Sequence, residues 1–277
     1  ALLHLLRSLG VPAGTSVMLP AYTFGALASF LKGHGYGVRA CDVDRERPVI
    51  SLSSVQAAWR DDVRCVLVPH LFGHTAPVEE IAPFVRGRGA VVLEDCAHAW
   101  GVTRDGRPAG TLADGALFSL DPLKVVHGFG GGLAVVHADV ATDPPPLREP
   151  RYGTVLRGVV AGAMEAAVFL GPWLRIPTGL LLFAPGRQVV DTVDGLTRRS
   201  NHGHGADTAL SNLQCAIARR HLASLPERLH RRRHVARTLL DTLGLYDATL
   251  GESASSRGNA YFLIVRVPPG DDAQALR

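Results

Sequence analysis

Residues 115–137 read GALFSLDPLKVVHGFGGGLAVVH. The apolar segment 116–120 predicts a buried strand, and a glycine-dense loop leads into a second predicted strand at 133–136. Lys124 lies between these strands and is the only lysine after Lys32. Most lysines reach water. A lysine held among buried strands and glycines is poorly hydrated, however, which lowers its pKa and supplies the neutral amine that Schiff-base chemistry needs.

A second chemical group precedes this stretch. Residues 90–95, AVVLED, are a short hydrophobic run that ends in two carboxylates. A carboxylate at the carboxyl end of a parallel strand lies where open α/β sheets form their ligand crevice. A cofactor with a pyridine ring needs such a group beside its nitrogen, because an aspartate there keeps the ring protonated and able to accept electrons. Asp95 is therefore a candidate partner for such a ring.

Strand and helix patterns alternate along the first part of the chain. The predicted strands are 16–19, 38–43, 64–69 and 91–94, and the predicted helices are 25–31, 53–59 and 78–85. This alternation with short connections predicts βαβ units around a mostly parallel sheet, which is the α/β class. A Rossmann fold is excluded, because no strand is followed by Gly-x-Gly-x-x-Gly at the start of a helix.

The composition fits a globular enzyme. The 277 residues are 47% hydrophobic and 19% charged, with a formal net charge of +4, and no nucleic-acid-binding motif is present. Cys41, Cys65, Cys96 and Cys215 are far apart and lack the spacing of a zinc site or a disulfide framework. We therefore expect no metal site and a cytoplasmic location.

Five blocks of sequence resemble one known family. They are PAYTF (20–24), VPHLFG (68–73), EDCAHA (94–99), FSLDPLK (118–124) and LSNLQCAI (210–217). In this order they are similar to the DegT/DnrJ/StrS family of pyridoxal 5'-phosphate (PLP) enzymes. The resemblance implies PLP-transferase fold type I, the aspartate aminotransferase fold, with a smaller α+β domain at the C-terminal end. Most members of the family aminate keto sugars carried on nucleotides.

The resemblance also implies roles for particular residues. Lys124 would bond covalently to PLP, release it when an amino donor arrives, and then move a proton between the donor and the cofactor. Asp95 would pair with the ring nitrogen, and Ser119 would bind the phosphate. His98 would lie near the phenolic oxygen and Phe24 would stack on the ring, although an ordinary structural or core role remains an alternative for both.

The chain departs from the family pattern in residues 205–209. The pattern Gly-aromatic-Asn-x-Arg/Lys aligns with residues 205–209, so Asp207 stands where an asparagine would reach a partner subunit's phosphate, and Ala209 replaces the basic residue. An aspartate would repel a phosphate. Either Asn201, His202 or His204 takes its place, or the site is altered. His70 is expected to be structural.

The sequence predicts three regions. Residues 1–140 form a large PLP-binding α/β domain, 141–202 a linker and an apolar helical insertion, and 203–277 a small domain. Both ends read as truncated. The apolar stretch 155–184 is interrupted by charges and prolines, which favours a buried helical hairpin over a membrane span, with an insertion that contacts a membrane or a partner as the alternative. The arginines of 228–237 favour a solvated helix face, and a contact with nucleotide phosphates is the alternative.

The most favoured function is a PLP-dependent aminotransferase. It would transfer an amino group, with glutamate as a plausible donor, to a keto sugar that is usually nucleotide-linked, and it would be a homodimer because the family's site is completed across a subunit interface. One alternative is a PLP-dependent sugar dehydratase, which Lys124 disfavours because such relatives tend to have histidine there. Another is a non-catalytic homologue with a binding or assembly role, favoured by Asp207 and Ala209 and disfavoured by Asp95 with Lys124.

Overall fold

The computed structural model describes residues 1–44, 47–137, 146–153, 155–156, 158–160, 208–244 and 256–261. The strands are β1 Ser16–Pro20, β2 Gly37–Cys41, β3 Val63–Pro69, β4 Val91–Asp95, β5 Thr103–Arg104, β6 Arg107–Pro108, β7 Gly115–Ser119, β8 Gly132–Val136 and β9 Ser256–Arg257. The helices are α1 Leu2–Ser8, α2 Ala26–Gly33, α3 Leu52–Ala58, α4 Val78–Arg86, α5 Asn212–Ala223 and α6 Leu225–Leu243.

Six strands form the central sheet, in the order β2-β1-β3-β4-β7-β8. All neighbours are parallel except β7 and β8, which are antiparallel. The glycine-dense loop between β7 and β8 contains no crossover helix, so it returns the chain beside β7 in the opposite direction. The mostly parallel α/β sheet predicted from the sequence is confirmed. Its parallel strands end at one common edge, and Pro69, Asp95 and Leu117 are register partners there.

The sheet is buried on both faces. Along β3, Cys65 and Leu67 pack in a cluster with α1 and α2, whereas Val66 and Val68 pack in a second cluster with α3 and α4. This is why β3 is a nearly continuous apolar run rather than an alternating one. Each such side chain contributes about 1.5–3 kcal/mol to stability by its burial.

Helix boundaries follow from local capping. The sequence pattern predicts a helix from Thr208 to about Leu225, but α5 begins at Asn212 because Ser211 forms a capping box with Gln214. The Ser211 hydroxyl accepts from the Gln214 backbone N–H at 3.3 Å, and the Gln214 side-chain oxygen accepts from the Ser211 backbone N–H at 3.0 Å. At the other end, α6 stops at Leu243 because Gly244 adopts a left-handed conformation, with φ 64°.

Two predictions for the C-terminal part are wrong. The composition of residues 251–258 predicts a loop, but Ser256–Arg257 form β9, which pairs antiparallel with β5. The arginines of α6 do not all lie on a solvated face. Arg231 is exposed and pairs with Glu227 at 2.9 Å, whereas Arg233 is buried and donates to the Gly258 carbonyl at 2.7 Å. The reason is tertiary, since the carbonyls of the loop 258–261 need donors and α6 lies beside them.

Several predictions fall on residues outside the described ranges. They include the apolar stretch beyond residue 160, the domain boundaries at 140 and 202, and Asp207 with Asn201, His202 and His204. The three-region division and the reading of this altered site therefore stay predictions. Within the part of the chain that the structure describes, every helix is too short or too polar to cross a bilayer.

Candidate active site

The carboxyl end of β4 places Asp95 in the site. Its side chain is buried, and Oδ1 accepts a hydrogen bond from the Ala97 backbone N–H at 2.9 Å. Burial raises the pKa of Asp95, while the Ala97 N–H and then the positive charge of Lys124 act in the opposite direction. Among the described residues, no donor serves the other carboxylate oxygen, Oδ2. A buried carboxylate of this kind is suited to a cationic N–H partner.

The loop after β7 brings Lys124 to the same edge of the sheet. Its backbone N–H donates to the Asp121 carbonyl at 3.0 Å, which closes a turn, and its Nζ lies 5.2 Å from the centre of the Tyr261 ring. Burial lowers the pKa of the Lys124 amine, and the charges of Asp121 and Asp95 partly oppose this. Lys124 and Asp95 thus influence each other electrostatically, as two functional groups of one site.

His98 contacts two aromatic rings. Its ring is stacked on Phe72 with centroids 5.7 Å apart and on Tyr261 with centroids 4.5 Å apart. The Phe72 backbone N–H donates to His98 Nδ1 at 3.3 Å, so the hydrogen of the neutral ring is on Nε2. Burial, together with the charge of Lys124, lowers the pKa of His98 to about 4. The imidazole is therefore neutral at pH 7 and offers one N–H donor.

Ser119 and Phe24 occupy different surroundings at the same edge. The Ser119 hydroxyl donates to Asp121 Oδ2 at 3.2 Å and accepts from the Asp121 backbone N–H at 3.3 Å. Phe24 lies between β1 and α2 with 71% of its surface exposed. Phe24 is therefore not packed into the core of the described residues. Stacking on a cofactor and binding of a phosphate remain predictions for these two residues.

Glu94, the residue before Asp95, forms a buried pair with His70. His70 Nδ1 accepts from the Ala76 N–H at 3.0 Å, so Nε2 carries the hydrogen and donates to Glu94 at 2.9 Å. The Glu94 carboxylate also accepts from backbone N–H groups of Gly110, Leu112 and Ala113 at 2.7–3.0 Å. Burial alone would raise the pKa of Glu94, but these bonds outweigh it and hold the pKa below its ordinary value.

This geometry fits the structural role expected for His70. Cys96 Sγ lies within 4.8 Å of the donor atoms of His70 and Glu94, a spacing that a metal ion could span. Both nitrogens of His70 and both oxygens of Glu94 are already engaged in hydrogen bonds. A metal would have to break these bonds, so the cluster does not fit a metal site.

Four of the five blocks that carry the resemblance lie in the first half of the chain, and so do Asp95, His98, Ser119 and Lys124. A model of the DegT/DnrJ/EryC1/StrS aminotransferase family matches residues 1–144, slightly more than half of the 277 residues. The chain belongs to this family.

Two members of the family illustrate its range of substrates. L-glutamine:2-deoxy-scyllo-inosose aminotransferase of Streptomyces fradiae is 29% identical over 269 residues, which make up 96% of this chain and 56% of that protein. dTDP-3-amino-3,4,6-trideoxy-alpha-D-glucose transaminase of Micromonospora megalomicea subsp. nigra is 33% identical over 147 residues, 53% of this chain and 39% of that protein. The chain thus spans about half, or less, of the length of these relatives.

A solved structure gives the same fold. A protein of Streptococcus pneumoniae, described as a sugar aminotransferase and solved in its PLP form, superposes with a TM-score of 0.66 over 95% of this chain and 63% of that one, at 16% identity. At this identity the likeness establishes the fold alone. The predicted PLP-transferase fold type I is confirmed.

Sequence reasoning missed three residues of the site, which are Phe72, Asn259 and Tyr261. Asn259 is fully buried, and its side-chain amide donates to the carbonyls of His98 at 2.8 Å and Trp100 at 3.1 Å. These contacts join residues about 160 positions apart in sequence. Nothing local in GNAY (258–261) marks such a role, so only an observed contact could have found it.

Proposed function

We propose that this protein is a PLP-dependent aminotransferase that transfers an amino group from an amino acid to the ketone of a sugar or a cyclitol. The observation that carries this proposal is the placement of the Lys124 amine and the Asp95 carboxylate at one edge of the sheet, where burial lowers the pKa of the amine and raises that of the carboxyl. Membership of an aminotransferase family supports it.

The donor set fits PLP. Asp95 would hold the ring nitrogen, because its buried carboxylate has an oxygen to which the described residues give no hydrogen bond. His98 would donate Nε2–H to the ring oxygen, Ser119 would bind the phosphate, and Phe24, exposed beside the site, would cover one face of the ring. When bound, PLP supplies a carbonyl for covalent capture of amines and a ring that accepts electrons.

Lys124 has two tasks in this proposal. Its neutral Nζ is the nucleophile that holds the cofactor, which requires a pKa below that of an ordinary lysine. Once an amino donor has displaced it, the same Nζ would accept the proton from the donor's α-carbon and pass it to C4′ of the cofactor. A base is most effective when its pKa is near the working pH, so the burial of Lys124 serves both steps.

The substrate class follows from chemistry and from the relatives. A keto sugar, nucleotide-linked as in the Micromonospora relative's name, is the acceptor that we propose first. A free cyclitol ketone, as in the Streptomyces fradiae relative's name, is the second candidate. That name also gives glutamine as donor, so glutamate and glutamine are both to be tested.

We further propose a cytoplasmic homodimer. Tyr22, Phe24 and Leu123 lie beside the site with 56%, 71% and 59% of their surfaces exposed. An apolar group of this kind at the mouth of a site is typical of a surface that a second subunit covers. Light scattering of the purified protein would measure its mass in solution, and a monomer at micromolar concentration would contradict this part.

Absorbance spectroscopy tests the proposal. The protein is incubated with PLP and dialysed, and its visible spectrum is compared with those of Lys124→Ala and Lys32→Ala. Lys32 is the matched control, because it is the other lysine of the chain and is exposed at the end of α2. We expect a lysine-dependent band in the wild type and in Lys32→Ala, its absence in Lys124→Ala, and its conversion to the pyridoxamine spectrum by glutamate or glutamine.

Two results would contradict the proposal. A band that persists in Lys124→Ala would mean that another amine binds PLP. A wild-type protein with a band that no amino acid alters would point to the non-catalytic alternative. After the first half-reaction is established, keto sugars and cyclitol ketones are compared by the rate at which each restores the original spectrum.

A further inference from the structure

A row of aromatic rings runs along the active-site edge of the sheet. The Tyr22 ring meets the edge of Phe72 at 6.2 Å, Phe72 stacks on His98, and His98 stacks on Tyr261. Phe72 has a left-handed backbone conformation, with φ 57°. This conformation is strained for a bulky residue and persists only where the surroundings impose it. It turns the Phe72 N–H toward His98 Nδ1.

Tyr261 is fixed by contacts of its backbone. Its N–H donates to the Asn259 side-chain oxygen at 3.1 Å, and Asn259 in turn donates to the His98 and Trp100 carbonyls. On the other side, the Arg232 guanidinium donates to the Ala260 carbonyl at 3.1 Å and to the Tyr261 carbonyl at 3.4 Å. The Tyr261 ring is therefore held against His98 by groups that do not themselves touch the imidazole.

The imidazole is thus in stacking contact with both Phe72 and Tyr261. An unrestrained histidine ring rotates broadly about its terminal torsion, whereas two stacking contacts and the hydrogen bond to Nδ1 restrict the His98 ring. His98 is half-buried, and this partial loss of hydration disfavours the charged imidazolium. The charged groups around the stack are Lys124, Asp121 and Asp95 on the sheet side and Arg232 on α6. Lys124 acts directly on His98 and also disfavours a second positive charge.

We propose that Tyr261 is a positioning residue: its ring presses the His98 imidazole against Phe72, in the neutral form with hydrogen on Nε2, and shields it and the Lys124 amine from water. This deepens the proposed function and rests on it in one respect, namely that the fixed N–H would donate to the anionic ring oxygen of PLP. The restriction of the His98 ring by Tyr261 and Phe72, called the clamp below, is a property of the ligand-free protein and can be measured there.

Nitrogen-15 NMR of the histidine rings tests the clamp without cofactor or activity. The variant His98→Gln identifies the His98 signals by their disappearance. In the wild type we expect the neutral Nε2–H form from pH 8 to 5 and a pKa of about 4. Tyr261→Phe retains the ring and should match the wild type. Tyr261→Leu and Tyr261→Ala should raise the His98 pKa by about one unit or more toward 6.5, because water then reaches the ring.

Tyr152→Leu is the control, since Tyr152 is 86% exposed and has no ring contact with His98. Circular dichroism confirms that each variant is folded. A wild-type His98 that titrates near 6.5, or that carries its hydrogen on Nδ1, would overturn the proposal whatever the variants do. An unchanged His98 pKa in folded Tyr261→Leu would also overturn it. The PLP spectrum is recorded separately, so a failed aminotransferase proposal is distinguishable from a failed clamp.

Discussion

Replacement of Glu94 by glutamine should destabilise the fold strongly although the two side chains have nearly the same size and shape. Glu94 is fully buried; its Oε2 accepts from His70 and Gly110, and its Oε1 from Leu112 and Ala113. In glutamine one of these oxygens becomes an NH₂ donor, which must face two donors whichever way it is turned. His70 cannot adapt by moving its hydrogen to Nδ1, because that nitrogen accepts from Ala76.

The expected magnitude follows from the two lost bonds. Hydrogen bonds to a charged group are worth about 1.5–3 kcal/mol each, so Glu94→Gln should lower the free energy of unfolding by about 3–6 kcal/mol. Urea unfolding followed by circular dichroism measures this difference. The control is Glu227→Gln, an exposed residue paired with Arg231 four positions later, whose loss should cost about 0.5 kcal/mol or less.

The effect should also depend on pH. The pKa of Glu94 is lowered on folding, so its carboxylate stabilises the protein fully above the ordinary pKa of the unfolded chain, 4.5. This stabilisation is lost as the pH falls from there through the lower pKa of the folded state. The wild-type advantage over Glu94→Gln should therefore shrink in acid. A loss below about 1 kcal/mol at pH 7 would refute the reasoning that all four acceptor positions matter.

Three shorter predictions concern other positions. Asp95→Asn should raise the melting temperature of the ligand-free protein at pH 7, because the pKa of Asp95 is raised on folding and its negative charge therefore destabilises the folded state. The same variant should lose the change of the PLP spectrum that an amino acid causes. An unchanged or lower melting temperature would contradict the first expectation. Gly73→Ala should lower the free energy of unfolding, measured in urea, by about 1–3 kcal/mol, because φ is +85° and a Cβ would lie 2.4 Å from Asn259 Oδ1. The control Gly10→Ala, with φ +66° and open space around the Cβ, should lower it by about 1 kcal/mol. Equal losses would refute the contact with Asn259. A thiol reagent should label only Cys215 in the folded protein, since it alone of the four cysteines is exposed, and mass spectrometry would reveal labelling of any other.

Much of the fold could be predicted because its signals are local. The apolar run VRCVLVP of β3 and the two carboxylates that end β4 can each be recognised from a few neighbouring residues. Boundaries were less accurate, because a cap such as Ser211 depends on one hydrogen-bond geometry rather than on a periodic pattern.

Contacts between distant segments could not be predicted. The sequence marks Arg232 and Arg233 as polar positions on a helix, and only the approach of the loop 258–261 shows that their charges serve its carbonyls. The structural role of Glu94 could not be predicted for the same reason. It stands beside Asp95 with the same chemistry, yet one carboxylate is saturated with hydrogen bonds and the other is not.

The sequence by itself determined the α/β sheet, the family and the two residues, Lys124 and Asp95, on which the proposed chemistry depends, because hydrophobic period and motif spacing are written along the chain. Tertiary structure alone decided the surroundings of those residues. Which rings cover His98, which donors saturate Glu94 and how far Lys124 is removed from water all depend on segments that are far apart in sequence. Burial and stacking act through space, and that is where the pKa values of the site are set.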